Sequence, residues 1–158
     1  MNYTELSTAI QNYAENTESN FVAEIPVFVQ QAEQRIYNSV QFPSLRKNVT
    51  GQTTANNKYL AAPQDFLAVY SLAVIDGTGA YEYLLNKDVN FIRASYPNPN
   101  DEGIPAYYAF FDQNSFILGP TPDDNYEVEL HYFYYPQSIT TAGTSWLGDN
   151  FDSVLLYG

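Results

Sequence analysis

His131 is the only histidine among 158 residues, so any Ser-His-Asp relay would have to use it as its base. It stands between Leu130 and Tyr132 in an alternating run, on the same side as Glu127 and Glu129, which fits a strand residue better than a catalytic one. The chain has no cysteine, which removes disulfides, thiolate zinc sites, iron–sulfur clusters and cysteine nucleophiles. One histidine and scattered carboxylates give no metal-ligand spacing of the HExxH or EF-hand kind. Gly77-Thr78-Gly79 supplies a G-x-G, but without the third glycine and the helix that a phosphate cradle needs. Paired carboxylates remain, because glycoside hydrolysis needs only two of them at a set separation. Eighteen acids offer many pairs. Glu24, beside Val22 and Ile25, is the one most open to desolvation, although a solvated helix face explains it equally.

The charge excludes more than the motifs include. Eighteen acids against six bases give a net charge of −12, and charged residues make up only 15% of the chain, against roughly a quarter in an ordinary domain. All six bases (Arg35, Arg46, Lys47, Lys58, Lys87 and Arg93) lie between residues 35 and 93, and the stretch from 94 onward is purely acidic. Such a chain lacks the basic footprint that grips nucleic-acid phosphates or an anionic membrane. The opening Met1-Asn2-Tyr3-Thr4-Glu5-Leu6 is no signal peptide, and no apolar run is long enough for a bilayer span. We therefore expect synthesis in a cytoplasm. Turns account for many of the acids. Asp123, Asp124, Glu127 and Glu129 are the candidates for an acidic surface that repels an anionic neighbour.

Fifteen tyrosines are the other compositional signal. They fit half-buried sheet faces. They also fit interfaces, where aromatic residues are enriched and lysine and glutamate depleted. Phe133 and Tyr135, opposite the Tyr132 and Tyr134 face, are candidate interface residues, as are Tyr107 and Tyr108.

Two helices are expected in residues 1–42. Tyr3, Leu6, Ile10 and Tyr13 form one stripe behind an Asn2/Glu5 capping box. Phe21, Ile25, Phe28, Ala32, Ile36 and Val40 form a second, with Gln30, Gln31, Glu33 and Gln34 on the polar side. Pro26 either starts that helix or kinks it. From residue 45 to 136 the period becomes two. Strands are expected at 46–53, 58–61, 68–75, 81–85, 106–111, 115–118 and 126–135, with a short helix over 87–93 and a loop over 96–103. A last helix starts within 149–158. The chain reads as a single α+β domain over 1–158: N-terminal antiparallel helices packed with a small antiparallel β-sandwich or barrel, and a C-terminal helix from about residue 150.

Three segments carry a resemblance. They are Gly103-Ile104-Pro105-Ala106-Tyr107-Tyr108-Ala109, then Phe116-Ile117-Leu118-Gly119-Pro120-Thr121-Pro122-Asp123, then Tyr126 to Pro136. In this order, with Ala32-Glu33-Gln34-Arg35-Ile36-Tyr37, Ser145-Trp146-Leu147 and Val154-Leu155-Leu156-Tyr157-Gly158, the chain resembles head-to-tail adaptor (connector) proteins of tailed, short-tailed bacteriophages. The resemblance implies a non-enzymatic virion protein of the neck, made in the bacterial host cytoplasm and needing no cofactor. It implies a ring, usually of twelve copies, beneath the portal protein. Tail nozzle, tube or fibre proteins would attach below, and double-stranded DNA would pass through the hole without specific binding and without any membrane partner. Related adaptors continue beyond this point, so a further C-terminal segment after Gly158 is expected. Read from the residues alone, a carboxylate-pair peptidoglycan hydrolase and a monomeric glycan- or peptide-binding β-sandwich stay open.

Overall fold

Asn2 and Glu5 do what their spacing predicts. In a computed structural model, which describes residues 1–158, Asn2 Oδ1 accepts the Glu5 N–H at 3.0 Å and Glu5 Oε2 accepts the Asn2 N–H at 2.9 Å. This reciprocal box opens helix α1 (Tyr3–Ala14). Helix α2 (Ser19–Ser39) continues through Pro26, so it neither starts nor stops there. Its buried face is Ile25, Val29, Ala32, Glu33 and Tyr37, while Phe28 and Val40 are about half exposed. Ile25 and Ala32 of the expected stripe are inside, Val29 and Tyr37 are buried where Phe28 and Val40 were expected, and Glu33 moves from the polar side to the inside.

These helices belong to one of two compact units, made of residues 1–43 and 135–158. Three short helices complete that unit: α4 (Ile139–Ala142), α5 (Trp146–Asn150) and α6 (Asp152–Tyr157). Ser138 caps α4 and Ser145 caps α5, each accepting a backbone N–H of the first turn. Leu6, Ile25, Ile139 and Leu147 are completely buried in it. No helix of the chain is long and apolar enough to cross a membrane.

The second unit, residues 44–134, is built from strands. One antiparallel sheet has the order β1 (Arg46–Gln52), β10 (Glu127–Tyr134), β3 (Phe66–Ile75), β4 (Tyr81–Tyr83). A second has the order β2 (Tyr59–Ala61), β8 (Ser115–Gly119), β7 (Tyr107–Asp112), β5 (Leu85–Asn86). The β5–β7 pair is parallel, and so is a small pair of β6 (Glu102–Gly103) with β9 (Thr121–Pro122). Turn acids set the hairpins. Asp76 accepts from the Thr78 hydroxyl, the Ala80 N–H and the Thr78 N–H, and Asp112 accepts from Asn114 N–H and the Ser115 hydroxyl; those bonds hold both carboxyls below the usual range.

Leu72, Val74, Val128, Leu130 and Tyr132 from the first sheet meet Tyr108, Phe116 and Leu118 from the second. Helix α3 (Val89–Ser95), capped by Asp88, covers the other face of the second sheet through Ile92, Ala109 and Ile117. This close packing leaves no room at Gly119. A methyl group there would stand 2.9 Å from the Tyr96 ring and 3.0 Å from Ile92 Cγ2. Gly119→Ala is therefore expected to destabilise this unit by roughly 1–3 kcal/mol, read as a lower urea midpoint with an unchanged slope.

Candidate interaction surfaces

Strand β10 alternates as its sequence predicts. Val128, Leu130 and Tyr132 are buried, Glu127 is exposed, and Glu129 and His131 are half-buried on the outer face. The register against β3 then shifts after His131 and again after Phe133. Both shifts place the extra residue in β3, first Tyr70 and then Leu67, so β10 keeps its alternation, and Phe133 is buried on the outer face with its ring 6.3 Å from that of Tyr70. Phe133, a candidate interface residue, is mostly covered within its own chain. Tyr108 is a core residue, with its ring 6.0 Å from that of Phe116. Its neighbour Tyr107 points to the opposite side, half-buried, with its ring edge-to-face on Phe91 at 5.5 Å. Tyr135 is half-buried in the helical unit, 5.6 Å from the Tyr37 ring.

The outer face of the first sheet is acidic and aromatic. Glu127, Tyr70, Tyr81 and Tyr83 are exposed on the same face as the half-buried Glu129, and Asp123 and Asp124 are exposed in the loop leading into β10. Asn48 donates to Glu129 at 2.6 Å, and Tyr81 and Tyr83 stack with centroids 6.5 Å apart. His131 lies edge-to-face on Tyr70 at 5.2 Å.

The bases are placed in a way the sequence did not suggest. Every base of this unit lies over a ring of its own chain. Arg46 sits 4.5 Å from the centre of Tyr70, Lys47 4.1 Å from Tyr134, Lys58 5.5 Å from Tyr59, Lys87 5.2 Å from Phe91 and Arg93 5.1 Å from Phe111. Lys47 also pairs with Asp65 at 2.7 Å. Each ring holds its cation by about 0.5–1 kcal/mol at an exposed site. The positive charge that exists is therefore drawn back onto aromatic surface, and the acids are left facing outward.

Two tyrosine hydroxyls are tied to carboxylates. Tyr126 donates to Asp123 at 2.5 Å, and this bond, with some burial, pushes the phenol up to about 12. Tyr132 donates to Asp65 at 2.7 Å; burial first and then that bond push it up to about 12 as well. Burial would raise Asp65, but hydrogen bonds from Lys47 and Tyr132 outweigh it and hold the carboxyl below its usual value. The signs follow. A raised phenol stabilises the fold fully below about pH 10, and that contribution is lost as pH climbs to about 12. A lowered carboxyl contributes above about pH 4, and its share is lost as pH falls through the depressed value. Titrating tyrosinate absorbance should show two phenols ionising last, near pH 12. Tyr126→Phe should remove one of them and flatten the loss of stability between about pH 10 and 12.

The helical unit holds two features that the helical periodicity missed. One is an apolar groove of about 400 Å³ lined by Ile36, Val40, Phe42, Leu147, Phe151 and Val154, with Arg35 at its edge. Trp146 closes an aromatic cluster there, 5.1 Å from Phe42 and 5.4 Å from Phe151. The Ser145-Trp146-Leu147 motif was its only signal. The other is a pocket of about 280 Å³ between α2 and residues 135–138, with the buried Glu33 on its wall. Nothing in the sequence distinguished Glu33 from its solvated neighbours.

The sandwich unit thus has an acidic, tyrosine-rich outer face and the helical unit an apolar groove. No curated protein matches the chain. The family model described as SU10 adaptor protein matches residues 1–158. The chain belongs to the SU10 adaptor protein family, a family of phage adaptors with a structural role in joining head and tail.

Proposed function

We propose that this protein forms a ring of about twelve copies in the virion neck, between the portal vertex and the tail, with double-stranded DNA passing through its centre. The observation that carries this reading is the retraction of all five sandwich bases onto aromatic rings beside a purely acidic stretch from residue 94 to 158. Phosphates are held by accessible cations. A wall that offers carboxylates and hydroxyls lets DNA move past. Asp123, Asp124, Glu127 and Glu129 are the proposed acidic surface of that channel.

Copies of net charge −12 repel one another, so their contacts have to come from apolar and hydrogen-bonding groups. Tyr107 supplies such a group, together with the exposed Tyr81 and Tyr83. The role is one of joining, not turnover. Quantitative mass spectrometry of purified virions should find about twelve copies per particle. Hundreds of copies, or none, would place the protein elsewhere.

A further inference from the structure

Glu33 is 3% exposed, and its carboxylate accepts a hydrogen bond from the Ile139 N–H at 2.9 Å. It stands on the wall of the pocket of about 280 Å³ that Gln30, Gln34, Tyr37, Tyr135 and Ser138 also line. The Tyr135 hydroxyl is buried with no hydrogen-bond partner, and its ring meets that of Tyr37 at 73°. A buried carboxylate beside two tyrosine rings is the environment that a cation satisfies best. Coulomb attraction and ring quadrupole act together there, and a buried carboxylate without a cation is costly. Burial and the charge of Glu33 both push the Tyr135 phenol up, which agrees with a site of negative potential.

The chain does not supply that cation. Its helical unit has one base, Arg35, which lines the apolar groove and a second hollow beside Phe28 and Gln31. The other five bases lie over rings of their own unit. A second copy is therefore a poor donor.

We propose that this pocket receives an arginine side chain from a partner protein other than a second copy of the chain. A guanidinium is planar, stacks on tyrosine and pairs with a carboxylate through paired N–H donors, and the volume admits it with its stem. The chemistry of the pocket stands without the adaptor reading. The assignment to a neck partner rests on it.

Two experiments separate these parts. The isotope-labelled chain is titrated with N-acetyl-arginine amide and with the neutral N-acetyl-citrulline amide, following the Ile139 and Thr140 amide resonances. Saturable shifts with the arginine compound, at least about tenfold weaker with citrulline, are expected. Glu33→Gln keeps an acceptor for Ile139 and should abolish the preference. Equal responses, no saturation, or a preference that survives Glu33→Gln would overturn the site. A photo-crosslinker at the exposed Gln34 in the assembled neck then identifies the donor. Crosslinking to an arginine-bearing segment of another neck protein supports the assignment. Crosslinking to a second copy, or none in the assembled state, overturns it even if the pocket binds arginine amide.

Discussion

Replacing Phe116 by alanine is expected to cost the sandwich about 3–5 kcal/mol, the largest single effect on stability available in this chain. Phe116 is completely buried, and its ring lies 5.4 Å from Phe66, 5.4 Å from Phe110 and 6.0 Å from Tyr108. It comes from the second sheet and meets Leu72, Val74 and Tyr132 of the first. Truncation removes the transfer free energy of the ring and leaves a cavity that three neighbouring rings, fixed on other strands, cannot close. Phe116→Leu keeps most of the volume and should cost well under half as much. Phe110→Ala is the control in the same cluster, because Phe110 is 45% exposed and should cost clearly less. Tyrosine near-ultraviolet circular dichroism during urea unfolding follows this unit. Equal losses for Phe116→Ala and Phe110→Ala would contradict the packing described.

Converting Asp123, Asp124 and Glu127 together to lysine should turn a surface that DNA passes into one that holds it. All three are exposed, and the change moves each copy from −12 to −6. Glu129 is left in place because it anchors Asn48. Multiplied around a ring, the new lysines would add many phosphate contacts. The affinity of the assembled neck for DNA should rise by about three orders of magnitude at 50 mM salt and fall back steeply by 200 mM. Virions carrying the variant should eject DNA more slowly at low salt. Unchanged DNA retention, with the ring intact, would show that these acids face away from the lumen.

The fold was largely legible because its strands are amphipathic and its turns are chemically explicit. Alternation of Val128, Leu130 and Tyr132 with Glu127, Glu129 and His131 assigned the two faces of β10, and Asp76 and Asp112 marked the hairpins. What stayed hidden depends on tertiary contacts. Short parallel pairs such as Leu85–Tyr107 and Glu102–Thr121 leave no periodic trace. The bulges of β3 opposite the end of β10 arise between strands distant in sequence. Helix α2 offered overlapping apolar stripes, and only packing chose Val29 and Tyr37 over Phe28 and Val40. The same choice buried Glu33 against the Ile139 N–H. Of the interface candidates, Tyr107 and Tyr135 keep partly open rings, Tyr108 serves the interior, and Phe133 lies mostly covered against Tyr70 on the outer face of its sheet. The pairing of bases with rings was invisible for the same reason: Arg46 and Tyr70, or Arg93 and Phe111, are far apart in sequence.

The central claim is assembly on the portal, and native mass spectrometry tests it directly. The chain is mixed with the portal ring of the same phage, and the mass of the complex is measured. A portal carrying a full ring of this chain, about twelve copies, is the predicted result. A chain that stays unbound beside an intact portal of its own phage would contradict it.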